Sequence, residues 1–228
     1  MAKFSRMKVL NTIIEEGLVP LFYHADEMIM VKSIQACLKG GASCFEFTNR
    51  GDRAYDVFME IIDQFKDEQQ LIIGAGTIID PATAVLYIQA GANFIVGPTL
   101  NPEIARLCNR RKIPYIPGCG SATEISKAEE LGAEICKVFP GGALNGPKFI
   151  KSILGPMPWS RLLPTGGVRA TEKNITSWFE AGAACVGLGS GLFRKGIIEN
   201  EQFTTIQEDV KNILEWICNA RIGKNPIS

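Results

Sequence analysis

Short apolar runs along this chain take turns with longer stretches in which apolar residues recur at helical spacing. The first helical stretch is predicted over 6–16, with Val9, Ile13 and Ile14 as its stripe. A strand at 18–24 follows, then a helix capped by Asp26 whose apolar positions continue to Leu38 before Gly40-Gly41 stops it. The same alternation predicts strands at 44–50, 71–75, 94–98, 114–118, 135–140, 161–164 and 185–188. Helices are predicted between them at 54–65, 80–90, from Asn101, 121–132, 148–154 and 171–181. Asp80-Pro81 and Asn101-Pro102 each set a side-chain acceptor before a proline at the first helical position, and Ser121-x-x-Glu124 is a capping box. The last long helix carries Phe203, Ile206, Val210, Ile213, Leu214 and Ile217, and the tail after Ala220 is expected to fray.

Strands that alternate with helices require a parallel sheet. Gly41-Ala42, Gly91-Ala92, Gly132-Ala133 and Gly182-Ala183 each end a helix shortly before the next strand, a quasi-repeat that spans two strand–helix units at a time. Eight such units fit an α/β fold of the (β/α)8 TIM-barrel type, a single domain over 1–228, with an extra N-terminal helix plugging or covering one end. An open doubly wound sheet is the other arrangement of this order, but eight consecutive units favour closure. No G-x-G-x-x-G follows the first strand to suggest dinucleotide binding.

At 228 residues and 46% hydrophobic content the chain can bury one large core. Acidic and basic residues balance at 24 each, which gives no electrostatic reason to expect nucleic acid or an anionic membrane as partner. The seven cysteines are odd in number, scattered and without a C-x-x-C pair, so neither a zinc ribbon nor a disulfide framework is expected. One histidine and no carboxylate cluster likewise argue against a metal site. The first residues lack an apolar signal core and no run approaches membrane-spanning length, so the expectation is a soluble cytoplasmic protein.

Barrels of this kind work at the C-terminal ends of their strands. Those ends carry His24; Glu46, Thr48 and Arg50; Gly74, Gly76 and Thr77; Pro98; Gly118; Lys137; Thr165, Gly166 and Gly167; Gly189 and Ser190. Strand alternation sets Glu46, Thr48 and Arg50 on one face and Phe45 and Phe47 on the other, and it groups Ile135, Lys137 and Phe139 against Cys136 and Val138. An ammonium in an apolar strand must reach water, meet a carboxylate or lose its proton. Glu46 beside Lys137 is compatible with a buried salt bridge and equally with catalysis. Arg50 and Thr77 crowd the same mouth with no structural task. An amine, a movable proton and a guanidinium together suit a small oxo-acid, its carboxylate forked by Arg50 and its carbonyl open to attack by Lys137. The glycine-rich turns Pro164-Thr165-Gly166-Gly167 and Gly187-Leu188-Gly189-Ser190-Gly191 end the last two strands, where barrels often close backbone N–H groups on a phosphate.

At these residues the chain resembles the 2-keto-3-deoxy-6-phosphogluconate (KDPG) and 4-hydroxy-2-oxoglutarate aldolases, lysine-dependent class I enzymes. The matching segments are Phe45-Glu46-Phe47-Thr48-Asn49-Arg50, Gly74-Ala75-Gly76-Thr77, Ile116-Pro117-Gly118, Lys137-Val138-Phe139-Pro140 and Pro164-Thr165-Gly166-Gly167, in family order. The resemblance implies that Lys137 forms the Schiff base and Glu46 is the general acid/base. It also implies that Arg50 and Thr77 bind the pyruvyl carboxylate, that Pro98 and Phe139 line the site, and that Thr165, Gly166, Gly167, Gly189 and Ser190 contact the substrate around its phosphate. It further implies a cofactor-free homotrimer that cleaves KDPG to pyruvate and glyceraldehyde 3-phosphate, or acts on the galactonate epimer or 4-hydroxy-2-oxoglutarate. Phe22-Tyr23-His24 and Asn49-Arg50-Gly51 depart from the family pattern and leave the aldehyde specificity open, with His24 a candidate for that end of the substrate. Two other readings remain: a phosphosugar epimerase or isomerase on the same barrel, and a trimer that only binds a phosphosugar.

Overall fold

The computed structural model describes residues 2–222. Helix α1 (Arg6–Glu16) precedes β1 (Leu18–Phe22), followed by α2 (Glu27–Lys39), β2 (Cys44–Thr48), α3 (Ala54–Gln64), β3 (Ile72–Gly76), α4 (Pro81–Ala90), β4 (Ile95–Val96) and α5 (Pro102–Arg111). The chain continues through β5 (Tyr115–Ile116), β6 (Gly118–Cys119), α6 (Ala122–Glu130), β7 (Cys136–Val138), α7 (Pro147–Leu154), β8 (Leu162–Pro164), α8 (Glu172–Glu180), β9 (Val186–Leu188), α9 (Lys195–Glu199) and α10 (Phe203–Arg221). Parallel pairing runs β5-β4-β3-β2-β1-β9 and, separately, β6-β7-β8. Two seams join these sets. Strands β5 and β6 are one strand interrupted at Pro117, which has no N–H for the ladder but whose carbonyl accepts from Lys137 N at 2.9 Å. Across the other seam Ala184 N–H donates to Leu162 O at 3.0 Å, and Thr165 bridges Gly187. The parallel sheet thus closes as the predicted (β/α)8 barrel.

Strand alternation divides the core in two. Phe45, Phe47, Cys136 and Val138 pack outward against the helices. Inside, Val19, Cys44, Ile72, Phe94, Ile116, Ile135, Leu163 and Cys185 meet Val9, Leu10 and Ile13 of α1. Each of these inward strand residues lies within one position of the start of its strand, so α1 covers the N-terminal end of the barrel. Each fully buried aliphatic side chain there stabilises the closure by about 1.5–3 kcal/mol.

The Gly-Ala quasi-repeat is a repeated helix stop. Gly41, Gly91, Gly132 and Gly182 take φ of 104, 111, 83 and 102°, the left-handed region. The alanine after each donates five residues back: Ala42 to Cys37 O, Ala92 to Tyr87 O, Ala133 to Ala128 O and Ala183 to Trp178 O.

Two features differ from the pattern. Helix α9 was not predicted, because five residues are too few to show a helical period. Helix α10 does not fray after Ala220 but continues to Arg221, whose guanidinium donates to Glu15 O (2.7 Å), Ile14 O (2.8 Å) and Ala184 O (2.6 Å). That side chain ties the last helix to the end of α1 and the start of β9. Residues 223–228 of the expected frayed tail lie outside the described residues. No described helix is long and apolar enough to cross a membrane.

Candidate active site

The inner face of the barrel changes character one rung above its apolar floor. Here Glu46 of β2 pairs in register with Gly74, Lys137 of β7 pairs with Gly118, and Thr165 pairs with Gly187. Glycine at these positions leaves space for the neighbours. A Cβ on Gly76 would lie 1.8 Å from Glu46 Oε1, one on Gly74 would lie 2.4 Å from the Phe94 ring, and one on Gly118 would lie 2.1 Å from the Pro98 carbonyl oxygen. The Gly74-Ala75-Gly76 run therefore accommodates a carboxylate and an aromatic ring inside the barrel.

In that space Lys137 Nζ stands 4.0 Å from Glu46 Oε1, and the two side chains are only 7% and 3% exposed. The separation suits an ion pair and exceeds a hydrogen bond. Burial pushes the Glu46 carboxyl above its ordinary value of 4.5, while Lys137 and Arg50 pull it back. A carboxyl whose pKa is raised by burial is suited to take and return a proton. Lys137 Nζ also lies 5.4 Å from the centre of the Phe139 ring, which is partly exposed at the mouth.

Asn49 N–H donates to Gly76 O at 2.7 Å, so β2 and β3 stay paired to their ends, and Arg50 and Thr77 leave the barrel side by side. Arg50 is exposed on the rim and makes no hydrogen bond or ion pair among the described residues. Thr77 adopts φ 55°, an uncommon conformation for a β-branched residue. Sterically strained residues of this kind concentrate at binding sites. Half-buried Pro98 packs its backbone carbonyl closely against Gly118.

The turn after β8 is fixed by backbone contacts. Gly141 N–H donates to Thr165 O at 2.8 Å and Gly142 N–H to Gly166 O at 2.7 Å. Gly166 and Gly167 take φ of 81 and 85°, and a Cβ on Gly167 would come within 2.6 Å of Gly142 Cα. The Thr165–Gly187 bridge brings this turn beside Gly189 and Ser190, which follow β9. Lys137 and Glu46 thus meet inside the barrel, with Arg50 and Thr77 on the rim to one side and the two glycine turns at the neighbouring seam.

Of the four hydroxyls buried without a hydrogen-bond partner among the described residues, those of Ser33, Thr48, Ser160 and Thr165, two belong to this end of the barrel, Thr48 Oγ1 and Thr165 Oγ1. Buried polar groups without partners are uncommon. The sequence places Thr48 on the face of Glu46 and Arg50 but assigns it no contact, and only its missing partner singles it out. One ring nitrogen of His24 is used locally, Nδ1 accepting from Asp26 N–H at 3.0 Å, and its ring stacks on Phe22 at 6.4 Å. A surface cleft on the same face carries five carboxylates, Asp26, Glu27, Asp52, Asp56 and Glu60, against one cation, Arg53, a balance that disfavours an anionic substrate. Among the described residues no group of three or more His, Cys, Asp or Glu could hold a metal ion.

Comparison with known proteins bears on this barrel as a whole. The KDPG and KHG aldolase family model matches residues 9–208. The chain is 29% identical to 2-dehydro-3-deoxy-phosphogluconate aldolase of Haemophilus influenzae over 94% of its own length and 99% of that protein's. It is 36% identical to 2-dehydro-3-deoxy-6-phosphogalactonate aldolase of Escherichia coli over 60% of this chain and 64% of that one. Among solved structures, KDPG aldolase of Legionella pneumophila, with pyruvate captured as a covalent carbinolamine, superposes with a TM-score of 0.80. It is 27% identical, and the match covers 89% of this chain and 96% of that one. On the extent of these matches, this chain belongs to the KDPG and KHG aldolase family and is a lyase of the aldolase type.

Proposed function

We propose that the protein is a Schiff-base aldolase that cleaves KDPG to pyruvate and glyceraldehyde 3-phosphate, with Lys137 as nucleophile and Glu46 as proton carrier. The observation that carries this is the buried amine 4.0 Å from a buried carboxyl of raised pKa, at the C-terminal end of the barrel. The free amine of Lys137 attacks the C2 carbonyl of the substrate and forms a carbinolamine. Loss of water from the carbinolamine gives an iminium, an electron sink joined to C3. Glu46 takes the proton of the C4 hydroxyl, and the C3–C4 bond breaks. Its electron pair moves into the iminium to form an enamine, and the aldehyde leaves. Glu46 returns the proton to C3, and water hydrolyses the resulting iminium to pyruvate and free Lys137. Every proton and electron pair is supplied by substrate, Lys137, Glu46 and water, so no cofactor is required.

Arg50 and Thr77 hold the carboxylate beside the reacting carbonyl. Pro98 and Phe139 line the pyruvyl end, and the Thr165 hydroxyl meets the substrate chain. Backbone N–H groups of Gly166, Gly167, Gly189 and Ser190 take the phosphate. The similarity to the E. coli galactonate-series aldolase supports a second reading, the same chemistry on the C4 epimer. The family resemblance further supports a homotrimer in the cytoplasm.

A parallel assay of pyruvate release from KDPG, its galactonate epimer and 4-hydroxy-2-oxoglutarate tests the substrate. The highest kcat/KM is expected for KDPG. A preference for the galactonate compound would replace KDPG as substrate and keep the chemistry, while release from none of the three would sink the proposal.

A further inference from the structure

One polar contact near the mouth belongs to none of the groups named so far. The Tyr87 hydroxyl on α4 donates to Asn49 Oδ1 at 2.9 Å. Tyr87 is fully buried, and its ring is packed by Phe58 (4.9 Å between centroids), Tyr55 (5.5 Å) and Phe47 (6.4 Å). A phenol fixed on this many sides has little freedom to follow its acceptor, so the acceptor is held by the phenol.

Asn49 is the residue before Arg50, and strand alternation turns its side chain outward to the helices while Arg50 faces the mouth. Asn49 N–H is bonded to Gly76 O at 2.7 Å. On the far side of Arg50, Gly51 takes φ 121° and its carbonyl accepts from Ala54 N–H at 3.2 Å. The backbone that bears Arg50 is therefore held on both sides. The guanidinium itself makes no hydrogen bond or ion pair among the described residues, so its reach is set by where its Cα stands.

We infer that Tyr87 and Asn49 are positioning residues. Their hydrogen bond fixes the end of β2, so that Arg50 presents its fork to an incoming carboxylate at low cost in ordering. This rests on Arg50 being the carboxylate-binding group. The contact joins residues far apart in sequence.

The test measures half-saturation by pyruvate, from borohydride-trapped protein, alongside kcat for cleavage and the melting temperature. The proteins compared are the wild type, Tyr87→Phe, Asn49→Leu, their double variant and Arg50→Gln. Asn49 is only half-buried, so its variant keeps the test open should Tyr87→Phe fail to fold. Arg50→Gln is expected to raise half-saturation about tenfold or more, the scale of a lost charge-assisted pair. Tyr87→Phe and Asn49→Leu should each raise it about three- to tenfold with kcat within about twofold of wild type. The double variant should be no worse than the worse single, because both remove one contact. If both singles match wild type while Arg50→Gln is impaired, the positioning role is wrong and the role of Arg50 stands. An Arg50→Gln variant that saturates normally would overturn both.

Discussion

Lys137 and Glu46 form a buried pair, and the proposed chemistry requires Glu46 to change charge without unfolding its surroundings. Burial is the larger influence on Glu46, so its folded pKa lies above the ordinary 4.5. The folded chain therefore binds this proton more tightly than the unfolded chain, and the associated stability is fully present below the unfolded pKa and lost as pH rises through the folded one. Wild-type stability relative to Glu46→Gln should accordingly grow as pH falls from neutral toward 4.5, which urea titrations at several pH values will measure; a difference that shrinks in that direction would contradict the burial of this carboxyl. The unpartnered hydroxyls separate function from stability more sharply. Thr165→Val removes a buried polar group that has no partner among the described residues and is proposed to meet the substrate, and it keeps the shape of the side chain. It should raise stability by up to about 1 kcal/mol while lowering kcat/KM about tenfold. Loss of stability without loss of activity would mean that the hydroxyl serves the fold.

Among the elements, β3 shows how a strand can be shaped by its neighbours' side chains. Gly76→Ala would put a methyl 1.8 Å from Glu46 Oε1, so either the carboxyl or the strand must move. Overpacking of this kind costs about 1–3 kcal/mol, and displacement of Glu46, the proposed proton carrier, should lower kcat by about a hundredfold. Cleavage assays and thermal melts on one preparation read both. The barrel is legible in the sequence because strands, amphipathic helices and Gly-Ala stops all leave local periodic marks. The positions of Glu46 and Lys137 are legible for the same reason, since strand alternation alone sends both inward. The Tyr87–Asn49 bond, the Arg221 anchor and the isolation of Thr48 Oγ1 join or separate residues distant along the chain and leave no periodic mark. The break at Pro117 escapes a reading that treats 114–118 as one strand, because the run stays apolar across it. His24 looks available from its place at a strand end, yet one ring nitrogen is engaged by the turn it begins.

In the whole molecule the two ends of the barrel have different tasks. The N-terminal end is closed by α1 and fastened by Arg221 to Ile14, Glu15 and Ala184, far along the strands from Lys137. Burial lowers the pKa of Arg221, and three backbone carbonyls take its hydrogen bonds. Arg221→Leu should therefore cost about 2–4 kcal/mol in denaturant unfolding, as expected for hydrogen bonds from a charged group, with kcat within about twofold of wild type. A large fall in kcat at unchanged stability would show that the two ends are coupled. The C-terminal end carries the amine, the carboxyl and the glycine turns, and the chemistry proposed for it depends on one covalent event. Incubation with pyruvate and borohydride, followed by intact-mass and peptide analysis, reads that event directly. We expect a single reduced pyruvyl adduct, located on Lys137 and absent from Lys137→Ala; a protein whose mass is unchanged under saturating pyruvate, or an adduct on another lysine, would contradict the assignment of Lys137 as the Schiff-base residue.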